Sequence, residues 1–96
     1  MKNIIVSNNF KKDLKRIKKR GVDLETLLVV YPYLASNKDL PKKFQAHKLI
    51  GNYMGFWECH IKSDWILIYD IKEDYVELVK TGTHSDLFIF LLCEQI

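Results

Sequence analysis

Three histidines, His47, His60 and His84, are the side chains of this 96-residue sequence best suited to proton transfer, and all lie from position 47 onward. Imidazole has the ordinary pKa nearest neutrality, so it both gives and takes protons there. Asp64 lies four positions beyond His60 and adds a carboxylate that can act as base or orient a substrate. A single histidine is more often structural than catalytic. Three drawn from different sheet segments make a stronger case for acid–base chemistry. Metal ligation is not indicated. Cys59 and His60 are neighbours in a strand pattern, so they point to opposite faces. No CxxC, HxxxH or ExxH spacing occurs. There is no glycine-rich phosphate loop and no GxSxG elbow. Cys93 lies within the apolar run 87–93, which does not favour a nucleophile. The aromatics Trp57, Trp65, Tyr69, Tyr75, Phe88 and Phe90 read mainly as core; beside cations, exposed ones would be stacking platforms for unpaired bases.

The elements that must position these groups follow from periodicity. Residues 2–6 form a short β-branched strand. Ser7, Asn8 and Asn9 can each cap a helix. Phe10, Leu14 and Ile17 then fall on one helical stripe, with Lys and Arg on the other faces, and Gly21 can close the helix. Asp23 can cap a second helix with Leu24, Leu27, Leu28 and Tyr31 on its stripe, widened by Val29 and Val30. Pro32 either ends it near Val30 or kinks it into an irregular extension through Leu34. Residues 36–41 read as a polar loop. From His47 the period becomes that of strands. Trp57, Cys59 and Ile61 alternate with Glu58, His60 and Lys62. Residues 65–71 are apolar on both faces, as in a central strand, and residues 75–80 form a third strand. Short turns join the three into an antiparallel meander. Residues 86–93 read as a short apolar C-terminal helix, although a buried strand has the same pattern. The whole is one α+β domain spanning 1–96.

Composition sets the outer bounds. The chain is 48% hydrophobic and 28% charged, a globular balance that excludes a wholly disordered chain. Its length excludes a Rossmann or barrel enzyme. The longest apolar run is too short to span a bilayer, and the first ten residues do not form a signal peptide. Cys59 and Cys93 read as reduced thiols in a cytosol, with a bridge between them the less favoured alternative. Residues 1–48 carry twelve Lys/Arg against four Asp/Glu, or +8; residues 49–96 carry three against eight, or −5. A basic half of this kind attracts polyanions, most simply nucleic acid, unless it is only a solvated helix face.

The strings at 47–51 (HKLIG), 58–61 (ECHI), 64–69 (DWILIY) and 81–88 (TGTHSDLF) resemble the YafQ branch of the RelE/ParE toxin superfamily, over about residues 1–90. The resemblance implies a RelE/ParE-like fold: an N-terminal strand, a two-helix hairpin on an antiparallel meander, and a short C-terminal helix. It implies a cytoplasmic bacterial type II toxin that cleaves mRNA, typically on the ribosome, without metal or other cofactor and without contact to membrane. A cognate antitoxin would neutralise it, and operator DNA would be met only through their complex. The site implied is His47, His60, Asp64, Trp65, His84 and Phe88, with His84 as principal catalyst. RNA can be cut by its own 2′-hydroxyl if one group removes that proton, another protonates the departing 5′-oxygen, and a cation offsets phosphate charge. His84 is expected as the acid, and Asp64, His60 or His47 as base or orienting group. Lys80 or a protonated histidine would supply charge, while Trp65 and Phe88 would hold an unstacked base. Lys11, Lys12, Lys15, Arg16, Lys18, Lys19 and Arg20 would grip ribosomal RNA phosphates. The chain departs from the family pattern at Lys48, often proline, at Lys80, usually arginine, and at Ile50, Met54 and Trp57, often basic. Other readings are a non-catalytic toxin on the same scaffold, such as a ParE-type gyrase inhibitor, and a simple RNA-binding module.

Overall fold

The change from β-branched to polar residues at Ser7 starts the first helix. In the computed structural model, which describes residues 2–49, 55–83 and 85–87, β1 (Asn3–Val6) gives way directly to α1 (Asn8–Lys19). Ser7 is the N-cap, its Oγ accepting the Phe10 N–H at 3.0 Å. Phe10 and Ile17 are buried and Leu14 is half-buried, which is the expected stripe. Gly21 has φ +83°, and its N–H returns to the Lys18 carbonyl, closing the helix as expected.

The second helix departs from the sequence reading in two respects. α2 (Glu25–Ala35) passes through Pro32 without breaking. Proline here removes one N–H near the end of the helix, and the Ser36 amide and hydroxyl both donate to the Pro32 carbonyl. Its buried residues are Leu27, Val30 and Leu34, while Leu28 and Val29 face outward. A segment apolar all round leaves the rotation of the helix undetermined by pattern alone. Asp23 accepts the Glu25 N–H at 3.0 Å, but Leu24 occupies the N-cap position. A 3₁₀ turn at Lys42–Phe44, which periodicity does not reveal, leads into the sheet.

Five strands lie in the order β1-β5-β4-β3-β2. β2 (His47–Lys48), β3 (Trp57–Lys62), β4 (Trp65–Ile71) and β5 (Tyr75–Gly82) are antiparallel to their neighbours, and β1 runs parallel to β5. Both helices pack on one face, where Phe10, Ile17, Leu27, Val30 and Leu34 meet Cys59, Leu67, Tyr69, Val76 and Leu78. The other face carries Ile66 and Ile68, with Phe56, Val79, Leu49 and Leu87 against them. Burial on both sides explains the unbroken apolar run of β4. Of the expected C-terminal helix at 86–93 only 86–87 are described, within a helical turn at 85–87.

β1 pairs with β5 only as far as Val6 opposite Leu78, yet β5 continues to Gly82. Its outer edge beyond that point needs other partners, because buried backbone groups left unpaired are costly. The N-terminal half of α1 supplies them. Ser7 donates its N–H to the Leu78 carbonyl (3.0 Å) and its hydroxyl to the Val79 carbonyl (2.7 Å). Asp13 Oδ2 accepts the Thr81 N–H at 3.1 Å. Asp13 is therefore buried, at 5% exposure, within a strongly basic helix. Asp13→Ala leaves that N–H without its acceptor and removes one ion-pair contact each from Arg16 and Lys80. The expected loss is about 2–3 kcal/mol, a fall in Tm of roughly 10–20 °C for a domain of this size. Urea and thermal unfolding followed by circular dichroism measure it.

Candidate active site

The register of the sheet decides which chemistry-bearing residues share a face. His47 lies opposite Glu58, Glu58 opposite Ile68, and Ile68 opposite Lys80. One row further along, His60 lies opposite Ile66, and Ile66 opposite Gly82. Antiparallel partners point to the same side, so both rows belong to the face away from the helices. That face brings His47 and His60 together, with ring centroids 6.4 Å apart. Glu58 lies between them in sequence register and bonds His47, Oε2 to Nε2, at 2.9 Å. The other nitrogen, Nδ1, lies 2.8 Å from the Gln45 carbonyl. Both ring nitrogens thus face oxygen atoms, the Glu58 carboxylate and the Gln45 carbonyl. Gln45 holds this position with a left-handed backbone, φ 51°. The alternation of β3 already places Glu58 on the His60 face; sequence reasoning did not select it as a site residue.

Asp64 is exposed in the β3–β4 turn. It borders a small cavity of about 60 Å³ with Arg20, Trp65 and Thr83. Trp65 does not meet its expectation as a stacking platform. It is 5% exposed, packs in the helix-side core, and its indole N–H donates to Thr81 Oγ1 at 2.7 Å. The Thr81 hydroxyl in turn donates to the Ile66 carbonyl. Only a small part of the ring is exposed, and its indole N–H holds Thr81. Lys80 is half-buried with Nζ 3.7 Å from Asp13 Oδ2. His84 and Phe88 lie outside the described residues, as does Cys93. Cys59 is a free thiol, buried at the sheet centre; burial, helped by Glu58, pushes it up to about 12, so it stays protonated at neutral pH.

The basic face of α1 is divided. Lys11, Lys12, Lys15, Lys18 and Lys19 are exposed and available to phosphates. Arg16 and Arg20, expected in the same role and part exposed, are also turned onto acids of the chain itself. Arg20 grips both Asp86 oxygens, at 2.9 and 3.4 Å. Arg16 reaches Asp13 at 3.3 Å and Asp86 at 3.7 Å. Asp86 also accepts the Thr83 N–H (3.1 Å), while Thr83 Oγ1 accepts the Asp86 N–H (3.2 Å). This reciprocal pair is a capping box that starts the helical turn at 85–87. Leu87 seats the turn on Ile66 and Ile68, on the histidine face. Gly82 permits the approach. A Cβ there would lie 3.1 Å from the Asp86 side chain and 3.2 Å from the Arg16 guanidinium. Asp86 thus ties the turn to α1, and neither it nor Asp13 was singled out from sequence. The signal for Asp13 was a lone acid in a run of Lys and Arg; that for Asp86 was its T-x-x-D spacing from Thr83.

Among the described residues, no group of three or more His, Cys, Asp or Glu side chains is arranged to hold a metal ion. Residues 2–89 match the family described as "Bacterial toxin of type II toxin-antitoxin system, YafQ". The mRNA interferase toxin YafQ of Escherichia coli K12 is 34% identical over 88 residues, covering 91% of this chain and 96% of that protein. A crystal structure of a metal-bound toxin from Helicobacter pylori superposes with a TM-score of 0.84 at 43% identity, covering 92% of this chain and all of that one. The E. coli DinJ–YafQ toxin–antitoxin complex contains a chain that superposes with a TM-score of 0.83 at 34% identity, covering 91% of this chain and 97% of that one.

The hydrogen-bonded Arg20 guanidinium holds the Asp86 carboxyl at about 2, below its ordinary 3.8; Thr83 assists and partial burial opposes. A depressed carboxyl stabilises the fold when ionised. Its contribution is complete above the unfolded value and disappears as pH falls from about 4 through 2. Asp86→Asn is expected to lower Tm by a few degrees at neutral pH. Thermal unfolding of the two proteins across that acid window should show their difference closing.

Proposed function

The chain belongs to the YafQ family of bacterial type II toxins, and on that premise we propose that it is an endoribonuclease that cuts mRNA on the ribosome and so arrests translation. The observation that carries this reading is the sheet face away from the helices, where His47, Glu58 and His60 stand together and Leu87 packs on Ile66 and Ile68 beside them. Two proton carriers on adjacent strands match part of what a 2′-hydroxyl attack needs, and His84 is the third carrier the sequence supplies.

The roles divide by hydrogen bonding. His47, held between the Glu58 carboxylate and the Gln45 carbonyl, orients the substrate or serves as an alternative base. His60, on the neighbouring strand, removes the 2′-proton. The 2′-oxygen bonds to phosphorus, the bond to the 5′-oxygen breaks, and His84 protonates that oxygen as it leaves. Lys80, in the His47 row, adds charge stabilisation. Asp64 orients substrate from the β3–β4 turn, and Phe88 supports the neighbouring base. The exposed lysines of α1 contact ribosomal RNA phosphates. The partner that holds the protein inactive is a cognate antitoxin, as in the DinJ–YafQ complex of E. coli, and operator DNA is reached through that complex. Among the described residues no helix is long and apolar enough to cross a membrane. The proposed place of action is the cytoplasm, where messages are translated.

His84→Ala is expected to keep the fold and lower cleavage of a ribosome-bound message by at least about 10²-fold, the usual value of one proton transfer. A message with a single 2′-deoxynucleotide at the mapped cut site should survive there. Equal cutting of ribo and deoxy positions would overturn the mechanism.

A further inference from the structure

A message bound at the histidines must continue past them, and the structure offers a place for it. Beside His60 an open cleft of about 540 Å³ lies between the start of α2, the 3₁₀ turn and the β3–β4 hairpin. That volume is within the roughly 300–1,000 Å³ typical of small-ligand sites. Lys43 and Lys62 line it, with Gln45, Thr26 and Ser63 as hydrogen-bonding groups. No carboxylate is among its described lining residues. The other clefts are different: one carries Glu73 and Asp74, and two carry Asp39.

The cations also differ in engagement. Arg16 and Arg20 are committed to Asp13 and Asp86. Lys43 and Lys62 are exposed, and among the described residues neither enters an ion pair. Two backbone irregularities border the cleft: the left-handed Gln45 and a register shift in β3 between His60 and Lys62. A β-bulge of this kind re-aims side chains, and such features gather at functional sites. Because His60 belongs both to the cleft and to the histidine pair, an occupant of the cleft is adjacent to the reacting groups.

We propose that this cleft binds the RNA nucleotide next to the scissile bond, Lys43 and Lys62 holding its phosphate. The inference rests on the nuclease reading above and extends it to a substrate subsite. An acidic segment of a protein partner is the competing occupant. RNA is favoured because the cleft opens at His60, where the strand must pass, and offers cations with neutral donors that suit a phosphate.

The test uses the full chain and a fluorescent 2′-O-methyl RNA oligonucleotide, which cannot attack itself. The double variant Lys43→Ala/Lys62→Ala should bind it about 10-fold more weakly, with unchanged Tm. The slope of log affinity against log salt should shrink by about 0.7 for each phosphate no longer neutralised. Removing nucleotides one at a time from each end should reveal one position whose loss weakens the wild type but not the double variant. The same variant should cut ribosome-bound message with a lower kcat/KM, mainly through KM. Unchanged RNA affinity and salt slope overturn the proposal, as does a variant that loses only an acidic antitoxin peptide. If the wild type binds RNA through these lysines but never cuts any message, the nuclease reading fails and the subsite stands. If it cuts and the double variant is unaltered in both assays, the subsite fails and the nuclease stands.

Discussion

The architecture depends on how the far end of β5 is completed after β1 stops. Four residues of β5 extend beyond the last pairing with β1. Ser7 and Asp13 complete that edge from the helix side. The cost of leaving these backbone groups unpaired fixes where α1 must lie. Once α1 is in place, Arg16 and Arg20 reach the end of the sheet and hold Asp86. Asp86 holds Thr83, and the turn that follows lies on the histidine face. A hydrogen-bonding requirement at one edge is thereby transmitted to the opposite face. The site is positioned by rigid elements, as acid–base chemistry needs.

Charge is distributed by the same logic. The chain carries an excess of Lys and Arg in its first half, but its cations have three different tasks. Arg16 and Arg20 hold the fold, where a planar fork suits a carboxylate that also takes a backbone N–H. The lysines of α1 are exposed and form a basic surface, a charge that would attract phosphates. Lys43 and Lys62 border the cleft at His60 and give charge where the substrate would lie. Counting net charge would merge these tasks; partner geometry separates them.

Much of the fold was legible because its signals are local. The Ser7 cap, the Phe10–Leu14–Ile17 stripe, the Gly21 stop and the three-strand meander are all set by neighbours within a few residues. The rotation of α2 was not legible, since Leu28, Val29 and Val30 are equally apolar and only packing selects Val30. The site was legible in part. The alternation of β3 put Glu58 and His60 on one side, but their meeting with His47 depends on β2, a two-residue strand. The string at 81–86 reads as a catalytic signature, yet most of its residues serve the structure. Thr81 anchors Trp65 and Ile66, Gly82 makes room, and Thr83 and Asp86 cap a turn. Their spacing is specific because several long-range interactions constrain it together, and sequence alone does not expose a pairing 66 residues apart such as Arg20–Asp86.

In the proposed reaction the transcript is cut by its own 2′-oxygen on the histidine face of this sheet. The chemistry of the severed ends tests it most directly. Message cleaved by the purified protein on ribosomes should carry a 2′,3′-cyclic phosphate, or the 3′-phosphate it hydrolyses to, on one fragment and a 5′-hydroxyl on the other. Fragments bearing 3′-hydroxyl and 5′-phosphate ends would mean that water was the attacking group, and would contradict the account.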